Sequence, residues 1–161
     1  MKPPAGVAAA ANPVPVQVFT FGHEVYGVPL EGVKEIFPAD DLYPVPRAPR
    51  PIRGLVDVRG RMVTALDVAA LIGCDDVPAG SGNLMILVEP RDHLGLWSPA
   101  AIDLRTVDLA GLRPRPDGRE ADPEVFDGFI ATPQGLVTLL SVDRLVRACE
   151  QEILKRYRAP G

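Results

Sequence analysis

Histidine and cysteine are scarce in this 161-residue chain, with two of each. Cys74 and Cys149 lie far apart in unlike contexts, and no CxxC is present. Only His23 and His93 could join them at a metal, so no metal site is expected. The thiols read as two reduced cysteines of a cytoplasmic protein. They are not expected to pair, because a disulfide needs Cα atoms within about 7 Å. Long apolar runs are also missing. None approaches the ~20 residues of a spanning helix, so no direct membrane insertion is expected. A basic surplus is lacking as well. Lys and Arg number 17 against 21 Asp and Glu, a net charge of -4, which argues against a general nucleic-acid binder. There is no GxSxG, HExxH or GxGxxG, and Gly80-Ser81-Gly82 lacks the lysine and helix start of a phosphate loop. Asp40-Asp41 and Asp75-Asp76 sit among turn residues, where Asp serves the turn itself. Glu31 and Glu35 have no His or Lys pattern around them, and each histidine reads as a hairpin or surface residue. With no nucleophile–base set, no catalytic residue and no cofactor are expected, and a binding protein is favoured over an enzyme.

What the chain does have is apolar residues (47%), 18 prolines and 15 glycines. A chain of this length buries roughly 70% of its unfolded surface and needs no disulfide. Residues 1–15, rich in Ala and Pro, read as a flexible tail. Lys2 and the Ala tract are interrupted by Pro3, Pro4 and Pro13, and Val7–Ala11 is too short for a signal-peptide core. Residues 16–161 read as one domain.

That domain is written in short strands. Val16–Phe21 and Val25–Leu30 flank a turn at Gly22-His23-Glu24, with Pro29 expected at an edge or bulge. Gly32–Phe37 is a third strand. Gly54–Val58 and Met62–Leu66 flank Arg59-Gly60-Arg61, with Gly60 available for a positive φ. Both of these strands carry apolar residues on both faces, which predicts two covered faces. The charges beside them, Arg53, Asp57, Arg59, Arg61 and Asp67, must find water or partners, since a buried unpaired ion costs several kcal/mol. Pro44, Pro46, Pro49 and Pro51 hold the approach extended. Val68–Ile72 reads as a helical turn stopped by Gly73. Leu84–Val88, Leu94–Trp97, Ile102–Val107, Phe129–Thr132 and Leu136–Leu140 supply further strands. Asp75–Gly82 and Gly111–Asp127 are loops. Regularly spaced short strands predict a mainly β barrel or sandwich. Ser141 then caps a helix with Asp143 in its first turn. Val142, Leu145, Val146, Cys149, Ile153 and Tyr157 fall on one stripe, and Glu152 and Arg156 form an i,i+4 pair.

The run Pro44 to Gly60, with its proline-rich approach, Ile-x-Gly step, apolar strand and Arg-Gly turn, resembles the core signature of CheW-like domains. Phe19–Ile36 is similar to that family's opening hairpin and Gly128–Val146 to its closing strand and helix. The resemblance implies two packed five-stranded SH3-like barrels with a C-terminal helix. It implies a non-enzymatic cytoplasmic adaptor that couples the cytoplasmic tips of chemoreceptors to the regulatory domain of a CheA-type histidine kinase. Carried over by position, the partner-binding residues are Val33, Glu35, Ile36, Gly54, Arg59 and Gly60. For each, a purely structural role is the competing reading: backbone geometry for the glycines, barrel filling for Val33 and Ile36, and folding onto Asp57 or a carbonyl for Arg59. The chain departs from the family at Gly95–Ala101, where an acidic position has become Pro99 and Trp97 is unusually large. That departure implies an accessory chemosensory array. The alternative from another class is a barrel-type nucleic-acid-binding module using Arg47, Arg50, Arg53, Arg59 and Arg61 with Tyr43.

Overall fold

The structure is a computed structural model. It describes residues 12–74, 82–99, 103–114 and 124–158, with the backbone alone for 156–158. Among these residues the strands are β1 (Pro13–Phe21), β2 (Glu24–Pro29), β3 (Val33–Ala39), β4 (Ile52–Val58), β5 (Arg61–Asp67), β6 (Gly82–Leu87), β7 (Leu94–Pro99), β8 (Asp103–Asp108), β9 (Phe126–Thr132) and β10 (Gly135–Leu140). The helices are α1 (Val68–Leu71) and α2 (Val142–Arg158).

The strands form two five-stranded sheets, ordered β8-β1-β2-β10-β9 and β3-β6-β7-β5-β4. The two orders follow one plan. A lone edge strand precedes an antiparallel hairpin, which meets a second hairpin through a parallel step, β2 with β10 in one sheet and β7 with β5 in the other. Each half of the chain supplies two strands to one sheet and three to the other. Neither half can therefore satisfy its backbone alone.

Strand periodicity explains why both faces are apolar. In β6, Leu84 and Ile86 enter the interior of the second sheet's barrel beside Val56, Val63 and Trp97. Met85 and Leu87, which point the other way, join the seam between the sheets, as do Phe19, Tyr26, Leu66 and Leu96. The first sheet closes over its own cluster of Val16, Val18, Val107, Ile130, Val137 and Leu139. Each such side chain contributes about 1.5–3 kcal/mol by burial. Trp97 is fully buried, so its size serves the core.

The helices cover the seam. Asp67 caps α1 by accepting the Ala70 N–H, and the Ser141 hydroxyl accepts the Arg144 N–H at 3.2 Å. Leu145, Val146 and Cys149 are buried against the seam, with Val142 and Ile153 at its margin. The Tyr157 side chain and the Glu152–Arg156 pair lie outside the described residues. Glu152 meets Lys155 at 3.4 Å.

Some boundaries differ from the sequence reading. β1 begins at Pro13, where the chain pairs with Asp108, so the segment read as tail gives its last residues to the sheet. Pro29 ends an inner strand, not an edge strand. The β2–β10 ladder stops at Gly27, short of the missing N–H. Residues 75–81 and 115–123 of the two expected loops lie outside the described residues.

Candidate partner-binding site

The β4–β5 turn is tighter than the three-residue break read from the sequence. Arg61 already pairs with Val58, which leaves Arg59 and Gly60 as a two-residue loop with φ of 53° and 88°. Positive φ at both positions is the type I′ geometry that suits a twisted hairpin. Arg59 bears a cost of roughly 1–2 kcal/mol for it, having a Cβ. Asp57 Oδ1 accepts the Gly60 N–H at 2.8 Å and holds the turn closed.

Arg59 therefore does not fold onto Asp57. Its Nη2 donates to Glu35 Oε1 at 2.5 Å, and its guanidinium lies 5.9 Å from the Phe37 ring centroid. Glu35 is on β3 and Arg59 follows β4, and these are the two edge strands of the second sheet. The pair clasps the edges across 24 residues of sequence, a juxtaposition with no local signal. It remains open to solvent, with Arg59's side chain 67% exposed, so its own worth is about 0.2–1 kcal/mol. Exposed donors on a fixed turn are available to a partner.

The other carried-over residues divide. Ile36 is 39% exposed on the outward face of β3, and Gly60 is exposed at the turn. Val33 is half-buried and packs against the seam. Gly54 is buried. A Cβ there would lie 2.7 Å from the Tyr43 carbonyl oxygen, which bonds the Leu55 N–H at 2.9 Å. Any effect of Gly54 on a partner passes through the segment carrying Tyr43, itself 56% exposed.

Three arginines of the cluster meet carboxylates. Arg53 meets Asp67 at 3.2 Å and stacks 3.7 Å from the Trp97 centroid. Arg61 meets Asp92 at 2.7 Å, with Lys34 at 3.9 Å from the same carboxylate. The Arg61 hydrogen bond holds the Asp92 carboxyl below its ordinary value. With Arg59 on Glu35, three of the five arginines face acids, and nothing in the arrangement favours a phosphate-binding face. Sequence reading missed both Asp92 and Glu35 as partners.

One concave feature is at the seam, where the Val88 N–H donates to the Gly32 carbonyl at 3.2 Å. Arg91, in the β6–β7 turn, donates to Asp143 at the start of α2, and this contact lowers the Asp143 pKa. Both thiols are free. Burial pushes the Cys149 thiol up to about 11. Among the described residues no group of three His, Cys, Asp or Glu is placed to hold a metal, and no helix is long and apolar enough to cross a membrane.

Known proteins agree with this geometry. The family model of the CheW-like domain matches residues 15–150. Protein FrzA of Myxococcus xanthus is 27% identical over 161 residues, covering 97% of this chain and 100% of its own. Chemotaxis protein CheW of Rhizobium meliloti is 24% identical over 136 residues, covering 83% of this chain and 88% of its own. Among solved structures, the scaffolding protein TtCheW of Thermoanaerobacter tengcongensis superposes with a TM-score of 0.70 at 20% identity, covering 83% of this chain and 88% of that one. With most of its length matched and its two sheets arranged as two SH3-like barrels, the chain belongs to the CheW-like domain family.

Proposed function

We propose that this chain is a non-enzymatic adaptor of chemosensory signalling, joining the cytoplasmic tips of chemoreceptors to the regulatory domain of a CheA-type kinase. The observation that carries the reading is the clasped edge of the second barrel. There, Glu35 holds the exposed Arg59-Gly60 turn from one face of β3, and Ile36, the next residue, is exposed on the other face. Apolar surface with a few fixed donors along one sheet edge is what a helix-in-groove contact needs, and a reacting centre is not. Such an adaptor works in the cytoplasm, where both partners present these parts.

The test is paired. Arg59→Ala removes the donors and leaves the apolar packing of β4 and β5 in place. Receptor-tip affinity is expected to fall by about 1–3 kcal/mol, as for loss of a charged hydrogen-bonding partner. Kinase affinity should fall less, because it rests on apolar contacts of the barrels. The melting curve of the same variant is recorded alongside. Unchanged receptor affinity in a folded variant refutes a contact role for Arg59.

A further inference from the structure

The two barrels close differently. In the second, Tyr43 exchanges two hydrogen bonds with Leu55 on β4, and the Arg59–Glu35 pair then ties β4 to β3. In the first, Arg113 exchanges the same two bonds with Phe129 on β9. Among the described residues no ion pair then ties β9 to β8. Arg105 of β8 turns instead to Asp103 on its own strand, at 3.5 Å. A groove of about 610 Å³ lies there, between Leu104–Asp108 of β8 and the stretch from Ile130 to Gln134.

Both walls of this groove carry unpaired backbone groups. Along an antiparallel ladder the N–H and C=O of successive residues alternate between the two sides of the strand. Leu109 donates to Asn12 beside β1, so Val107 and Arg105 face β1 and Thr106 faces the groove. Phe129 faces Arg113, so Ala131, two residues on, faces the groove as well. Thr106 and Ala131 are exposed, and neither backbone has a partner on that side among the described residues. An open strand edge of this kind is a template for another strand.

Asn12 is anchored at the margin of the groove. Its N–H donates to the Asp108 carboxylate at 2.8 Å, and its carbonyl accepts the Leu109 N–H at 3.0 Å. Residues 1–11 lie outside the described residues. At about 3.3 Å each they reach up to ~36 Å, several times the ~10 Å from Phe129 to Thr132. Ala5–Ala11 reads Ala-Gly-Val-Ala-Ala-Ala-Ala. It contains no proline, so each residue can donate a hydrogen bond, and no charge that would oppose burial beside Val107 and Ile130.

We propose that residues 5–11 add to β9 as a sixth strand of the first sheet, antiparallel to it and bonded at Ala131. The direction follows from the anchor. β9 runs from the Arg113 bridge toward Thr132, whereas residues 5–11 run toward Asn12, which Asp108 holds at the end where the chain goes on to Arg113. The added strand covers the open edge of the first barrel from within the chain, as the Arg59–Glu35 pair spans the edges of the second. It keeps that edge from pairing with strands of other chains. The inference does not rest on the adaptor reading.

Amide hydrogen exchange followed by NMR tests it on three proteins: the full chain, the chain lacking residues 1–11, and the full-length double variant Ala8→Pro/Ala9→Pro. The two prolines are neighbours, so one of them removes a donor on whichever side faces β9. The Ala131 amide is expected to exchange about 10- to 100-fold more slowly in the full chain than in either variant, with the amides of Val137 and Leu139 on β10 unchanged as a check on the fold. An Ala131 amide that exchanges equally in all three proteins, whether slowly or fast, overturns the proposal. Protection of Thr106 in place of Ala131 puts the strand on β8 and overturns the pairing with β9.

Discussion

Replacing Gly54 by alanine tests the claim that this glycine acts through the backbone. Its φ of 157° is one that residues with a Cβ rarely adopt, so conformational strain adds to the cost. The close approach decides. The new Cβ would sit 2.7 Å from the Tyr43 carbonyl oxygen, a backbone atom that cannot rotate away. Relief requires separating Tyr43 from β4, which strains or breaks two hydrogen bonds, Tyr43 N–H to Leu55 O at 2.8 Å and Leu55 N–H to Tyr43 O at 2.9 Å. Each is worth about 0.5–1.5 kcal/mol. Alanine recovers about 0.4–1 kcal/mol by restricting the unfolded chain. The expected net loss is about 1–2 kcal/mol, or about 2–8 °C in Tm for a chain of this size. Urea unfolding followed by fluorescence of the single tryptophan, buried in the second barrel, measures it. The first sheet holds an internal comparison. A Cβ on Gly128 would lie 2.4 Å from the Arg113 carbonyl oxygen, and Arg113 and Phe129 exchange the same two hydrogen bonds. Gly128→Ala should therefore cost at least as much. A Gly54→Ala variant as stable as wild type refutes the reasoning.

Cys149 should resist thiol reagents while the chain is folded, since its pKa is raised to about 11 by burial first and by Glu150 and Glu152 after it. A raised folded pKa means the unfolded thiol ionises first. This contribution to stability is complete below the unfolded value of about 8.5 and is lost as pH rises through about 11. Unfolding free energy should thus fall more steeply from pH 8 to 11 in wild type than in Cys149→Ala, and parallel curves would count against it. Arg53→Ala should cost about 2 kcal/mol, because it leaves the half-buried Asp67 carboxylate without its cation and uncovers the Trp97 ring. Denaturant midpoints and the tryptophan emission maximum check it, and an unshifted emission would show that the stacking has no effect on the ring.

The amino-acid sequence by itself determined the local units of this protein. Ten strands, their turn residues, the capped helix beginning at Ser141 and the apolar face that Leu145, Val146 and Cys149 present are all set by neighbours within a few residues, through period and turn chemistry. Two-sided apolarity in the β4–β5 block was legible too, as was the family signature from Pro44 to Gly60. Tertiary structure alone decided which sheet each strand entered, because the two halves exchange strands and no local pattern encodes a partner many residues away. It turned Trp97 inward and gave Asp67 and Asp92 to Arg53 and Arg61. It also assembled the candidate site. Glu35 and Arg59 meet only because β3 and β4 become the two edges of one sheet. Contacts of that kind come from packing between distant segments, which sequence periodicity does not record.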